Sequence, residues 1–287
     1  MSEEKPSKKI LESSPLSGIT VPIAIVLVGA LIIFGVTKML SSGKNHRDLI
    51  DEMNSKTFGN RWIAAYELSK FLAGSKIPKE DIPWVIENLS KVYVESVDAR
   101  TRNFVVLALG SLNNPLTATT LNAALSDQDP QVQFNAVVAI GNMTPGITVS
   151  WDKILEFAAQ DNDLGLKQVA MLALASHKHE KAQQVALTLS QSAEKTIRYP
   201  AGIILIQFQN ELALPILNEI FSSKEPAIAN SQDLNGLQIE AYKMNALDQI
   251  EKSPWIKTLP MVEKVLENET NVRVSTKAKL VLKELKK

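Results

Sequence analysis

The chain contains no cysteine. That one absence removes disulfides, thiolate zinc sites, iron–sulfur clusters and cysteine nucleophiles together. It leaves the compartment open, since a cysteine-free chain is at home on either side of a membrane. Histidine occurs only at His46, His177 and His179. His177 and His179 are two residues apart, which turns them to different faces, so no metal site is expected. Neither sign of charge is in excess: Lys and Arg number 31, as do Asp and Glu. The balance persists when the first forty residues are set aside. Phosphate binding needs a net basic surface, so nucleic acid is not an expected partner. Catalytic signatures are missing too. There is no Gly-x-x-x-x-Gly-Lys phosphate loop, no His-Glu-x-x-His and no Gly-x-Ser-x-Gly. The sequence therefore predicts no cofactor, no small-molecule substrate and no enzyme activity. No run reads as a strand bounded by hairpin turn residues, which points to an all-α fold.

Another absence is local. Residues 13–37 carry no charged side chain, and Ile19 to Val36 is apolar on every side. At about 1.5 Å per residue such a helix spans the roughly 30 Å hydrocarbon core. A core helix would show a polar face, and a signal peptide has a shorter apolar region and a small-residue cleavage site. The expectation is a transmembrane helix over residues 18–40, preceded by a flexible polar tail over residues 1–17. Pro22 lies near the first turn, where proline is tolerated. Lys38, Lys44 and Arg47 follow the run, against Lys5, Lys8 and Lys9 before it. The positive-inside rule leans towards a single-pass membrane protein with its main domain in the cytoplasm.

What is present, from residue 41 to residue 287, is a repeat. Asp129-Pro130 opens a stretch with apolar residues at Val132, Ala136, Ala139, Ile140 and Met143. Those positions form one stripe of an amphipathic helix. The stripe returns at Thr101, Val105, Ala108, Leu109 and Leu112, at Leu166, Ala170, Ala173, Leu174 and His177, and at Ile197, Ala201, Ile204, Leu205 and Phe208. The period is 31–34 residues, with a second helix in each interval. That is a helical-hairpin solenoid, here of about seven hairpins. Asp98, Asp129, Asp163 and Asn271 precede second helices and are expected to cap them. Ile140 belongs to the core stripe, and Asn135 is expected off it. In the last helix the equivalents of Ala201, Ile204 and Leu205 read as Thr276, Lys279 and Leu280, a polar outer face that ends the stack. The longest connection, Ser222 to Asn235, is polar and expected to be mobile.

These residues resemble HEAT repeats. The likeness rests on Asp129-Pro130-x-Val132-x-x-x-Ala136-x-x-Ala139-Ile140-Gly141, matched by Asp98, Val105, Ala108, Leu109 and Gly110. The first hairpin, with Arg61-Trp62-Ile63-Ala64-Ala65-Tyr66-Glu67-Leu68, is similar to that of bacterial membrane-anchored HEAT-repeat proteins. The resemblance implies a right-handed α-solenoid behind one transmembrane helix, and no catalytic residues.

The family pattern also expects a basic residue after the first stripe position. Arg61, Arg102, Lys167, Arg198 and Arg273 stand there, with Gln133 in the best repeat. They form either a ladder facing an acidic partner protein or a set of turn staples, each paired with an Asp or a carbonyl of its own or the next repeat; Asp98, Asp129 and Asp163 lie in register for that. Trp84, Trp151 and Trp255 all open first helices, where packing between repeats is the expected role. The expected function is a membrane-tethered scaffold docking a partner protein, a membrane complex among the candidates, along the concave face of the solenoid. The alternative is a HEAT-like enzyme of lyase or glycosylase type, which would need an acid, an aromatic and a base clustered in the groove.

Overall fold

The structure is a computed structural model that describes residues 44–55, 61–74, 77–224 and 234–287. The expected polar tail, the expected membrane helix and the middle of the Ser222–Asn235 connection lie outside the described residues. Among the described residues no helix is long and apolar enough to cross a membrane. The chain divides into two units, Met1–Asp48 and Leu49–Lys287. The helical stack belongs to the second.

Fourteen α-helices make up the described residues, with no strand among them. They are α1 (His46–Asn54), α2 (Arg61–Gly74), α3 (Ile82–Glu95), α4 (Ala99–Ser111), α5 (Ala118–Ala124), α6 (Pro130–Asn142) and α7 (Trp151–Ala159). Then come α8 (Leu164–Ser176), α9 (Ala182–Leu189), α10 (Lys195–Gln207), α11 (Ala213–Ser222), α12 (Gly236–Lys252), α13 (Leu259–Asn268) and α14 (Val272–Leu285). Single 3₁₀ turns lead into α3, α5 and α13. The even-numbered helices from α2 to α14 pack side by side in one row, and each odd-numbered helix from α3 onward packs on the second helix of its pair. This is a solenoid-like stack of helical hairpins.

The register of the stack is written in its caps. Asp129 accepts from the N–H groups of Gln131 and Val132, Asp98 from Arg100, and Asp163 from Leu166. Each carboxylate satisfies an orphan donor at the positive end of the helix. In all three cases the stripe begins three residues after the cap, and Val132, Ala136, Ala139 and Ile140 are buried as expected. The same rule corrects the last helix. Asn271 caps α14 by accepting from Arg273 and Val274. Its stripe is therefore Val274, Ala278 and Val281, all buried. The alignment that puts Thr276, Lys279 and Leu280 in that role is out of phase by two residues. Those three are exposed, so the outer face is polar, but it is the back of the helix and not its stripe.

Asn135 also departs from expectation. It is buried, and its Nδ2 donates to Asn103 Oδ1 on the neighbouring second helix. A flank residue of α6 has become an inter-repeat hydrogen bond.

The apolar core forms two clusters. The first runs from Leu49 to Ala182 and the second from Met171 to Val281. They meet at α8, which gives Ala170, Ala173 and Leu174 to the first and Met171 and Ala175 to the second.

Candidate functional site

The basic series resolves into separate staples. Arg102 makes a bidentate pair with Asp127 at 2.8 Å, and its Nη1 donates to the carbonyls of Ser96 and Val97. Tyr93 donates its hydroxyl to the same carboxylate at 2.7 Å. Burial alone would raise the Asp127 carboxyl; the Arg102 guanidinium, the Asp129 N–H and the Tyr93 hydroxyl outweigh it and hold it below its ordinary value. Arg198 repeats the pattern on Glu219, with Nη1 on the carbonyls of Ser192 and Ala193. Lys167 reaches Asp161, and Arg61 donates to the Ser55 carbonyl. Arg273 reaches back to Glu240. It sits two residues after its cap, as Arg100 does, so it is not the fifth member of the series.

The partners are not the residues the sequence pointed to. Asp98, Asp129 and Asp163 are occupied as helix caps. Asp127, Asp161, Glu219 and Glu240 take the cations instead. The five residues stand in separate second helices, α2, α4, α8, α10 and α14, and do not converge. None of them lines the cavity between α8, α10 and α12.

That cavity has a simple origin in side-chain size. A Cβ on Gly110 would lie 2.7 Å from the Ala139 Cβ, and one on Gly141 would lie 3.3 Å from Ala173. Glycine against alanine thus lets α4, α6 and α8 approach backbone to backbone. The next pair in the same register is Ala175 on α8 and Ile204 on α10. Both residues are larger, and both line a cleft of about 940 Å³ between α8, α10 and α12. Pro200 lines it too and sits inside α10, where it removes one rung of the helical ladder.

The cleft has an apolar floor and a polar edge. Leu172, Ile203 and Tyr242 supply the floor, and Leu172 is 41% exposed. The Tyr242 ring meets Tyr199 edge-on at 5.3 Å. Side-chain amides come from every bounding helix: Gln168 from α8, Gln207 from α10, and Asn245 and Gln249 from α12. An amide carries both donors and an acceptor, which matches the peptide group. The charged lining residues are Lys178, Asp248 and Lys252. Asp248 is held by Lys277 at 2.5 Å, while the two lysines make no ion pair among the described residues.

Sequence reasoning did not point to this cleft. The available signals were the loss of the repeat glycine at Ala175 and the proline at residue 200. It also missed Lys243. That residue occupies a stripe position of α12, between Ile239 and Ala246, where other repeats carry alanine or valine. It is buried and bonded to Glu269 at 2.6 Å. Burial would raise the Glu269 carboxyl, but the Lys243 ammonium and the Asn271 N–H together hold it below its ordinary value.

The tryptophans diverge in their surroundings. Trp255 is buried. Trp151 is half-buried and packs on His177 at 5.1 Å and His179 at 5.2 Å, the end of its own hairpin. The His177 ring also bonds the Ile140 carbonyl at 2.7 Å. Among the described residues no group of three His, Asp or Glu side chains is placed to hold a metal.

No family model matches the chain, and no curated protein matches it. Solved structures do. The E. coli protein YibA superposes with a TM-score of 0.53 at 17% identity, over 85% of this chain and 83% of that one. The complex of CpcE and CpcF of phycocyanin lyase from Nostoc sp. PCC7120 gives 0.55 at 12% identity, over 84% and 95%. An engineered protein gives 0.50 at 16%, over 84% and 68%. These likenesses are of fold.

Proposed function

We propose that this protein is a membrane-tethered scaffold that docks a segment of a partner protein in the cleft between α8, α10 and α12. The observation that carries this reading is the cleft itself. It is the place where the row of second helices opens, at about 940 Å³, with an exposed leucine on its floor and four amides at its edge. An apolar floor gives affinity through burial, and amides fix an extended backbone. The uncharged run over residues 13–37 supports the tether, and the cations that follow it support a cytoplasmic, single-pass arrangement. A tether raises the local concentration of any partner held at the same membrane, so moderate intrinsic affinity suffices.

The absence of cysteine makes the test clean. Asn245→Cys, loaded with a photo-crosslinker in intact membranes, is expected to give a discrete adduct that Ile203→Arg abolishes. Glu267→Cys, exposed on α13, should give none. Identical adducts from both positions, or an adduct indifferent to Ile203→Arg, would remove the docking role from the cleft. The tether is tested separately. Deleting residues 1–40 should release a folded helical protein from the membrane fraction after a high-salt wash, and retention in the pellet would overturn it.

The alternative, an enzyme of lyase or glycosylase type, needs an unengaged acid near the aromatic floor. Asp248 is the sole carboxylate lining the cleft, and Lys277 holds it. That arrangement favours the scaffold.

A further inference from the structure

We infer that the segment taken by the cleft is an acidic-apolar peptide: one or two large aliphatic or aromatic side chains flanked by aspartate or glutamate. The inference rests on the docking reading above and adds the chemistry of the partner.

Several cations of the stack are held by neighbouring acids: Arg102 by Asp127, Arg198 by Glu219, Lys243 by Glu269 and Lys277 by Asp248 and Glu251. The cleft presents two that are not. Its one carboxylate is neutralised from within, and its two remaining charged groups, Lys178 and Lys252, are both positive and both unpaired among the described residues. Each follows or ends a second helix, Lys178 just past α8 and Lys252 at the end of α12. A lysine there complements the negative end of the helix dipole, which explains its tolerance but leaves its ammonium free for a ligand. Glu180, the nearest acid in sequence to Lys178, does not line the cleft. A basic segment would meet two like charges and no free acid. An acidic one meets two cations at the rim and an apolar floor inside, the arrangement that sets partner choice and association rate.

The test is selection of a random twelve-residue peptide library against the full-length chain in lipid nanodiscs. The expected result is enrichment of peptides with Leu, Ile or Phe next to Asp or Glu. Their binding should weaken about tenfold in Lys178→Glu/Lys252→Glu, mostly through the association rate and with a marked salt dependence. The single variant Lys252→Gln, on an exposed helix end, should give an intermediate loss, with a thermal unfolding midpoint lowered only slightly by the lost dipole complement. Peptides without charge preference, or basic ones, that still depend on Ile203 would overturn the acidic chemistry and leave the docking reading standing. Enrichment that is the same in Ile203→Arg, or none at all, would overturn both.

Discussion

The two halves of the stack use one repeat in two ways. From α4 to α8 the second helices meet through glycine and alanine, as at Gly110 against Ala139 and Gly141 against Ala173. From α8 to α12 the equivalent pair is Ala175 and Ile204, and the row opens into the cleft. The first half holds Arg102 and Asp127 at 14% and 4% side-chain exposure; the second half holds the matching Arg198 and Glu219 at 19% and 39%. The difference teaches that a repeat can keep its stripe, caps and staples while a change of a few carbons at a single register position turns a sealed face into an open one.

The comparison can be broken at four levels. The largest effect tests whether the halves are equally filled beneath their different faces. Ile140→Ala and Leu205→Ala, both nearly fully buried, should each cost about 2–5 kcal/mol in denaturant unfolding. A small loss at Leu205 alone would show the second half to be loosely packed throughout and not only at the cleft.

The staples come next. Asp127→Ala leaves a mostly buried guanidinium and a phenol without their acceptor and should cost about 3 kcal/mol. Glu219→Ala, at a more exposed partner, should cost about 1 kcal/mol or less. The Asp127 pair also carries a pH signature. Its folded-state pKa lies below the ordinary value, so its contribution is complete above about pH 4 and is lost as the pH falls through the folded value. Acid unfolding monitored by circular dichroism should therefore shift to higher pH when Lys replaces Arg102 and breaks the bidentate contact.

The helix approach itself is tested by adding one methyl. Gly110→Ala places a Cβ within 2.7 Å of the Ala139 Cβ and should cost about 1–3 kcal/mol. Ala175→Val, beside the cleft, should cost under about 1 kcal/mol. Equal losses would mean that the opening is not set by side-chain size. The smallest effect concerns Asn135. Its bond to Asn103 predicts a cost of about 1 kcal/mol for Asn135→Ala, measured against Asn103→Ala and the double variant in a cycle.

Much of this architecture is legible in the sequence. The apolar stripe at Val132 and its repeats, the Asp98, Asp129 and Asp163 caps and the seven pairs of helices follow from periodicity and from orphan N–H chemistry. What is not legible depends on distances across the stack. Arg102 and Arg198 read as turn residues, but the acid that each takes does not show in the sequence, because Asp127 and Glu219 lie 25 and 21 residues away and become neighbours only after the chain has folded. Asn135 reads as a flank residue because its partner sits on another repeat. The phase of α14 is misread when the alignment follows the basic residue, Arg273, and not the cap, Asn271. The cleft is half legible. Ala175 breaks the glycine register and Pro200 breaks a helix, but the volume these create exists only between helices.

The division of the core at α8 has a mechanical consequence. A stack in which each repeat touches only its neighbours transmits tension from one joint to the next, and its weakest joint yields first. Here two apolar clusters share a single helix. Stretched between its ends, as in an optical trap, the chain should lengthen in two large steps separated at α8, with the intermediate holding one cluster intact. A load borne by this protein would then be shed by halves, and the cleft that borders the joint would be among the first surfaces to change.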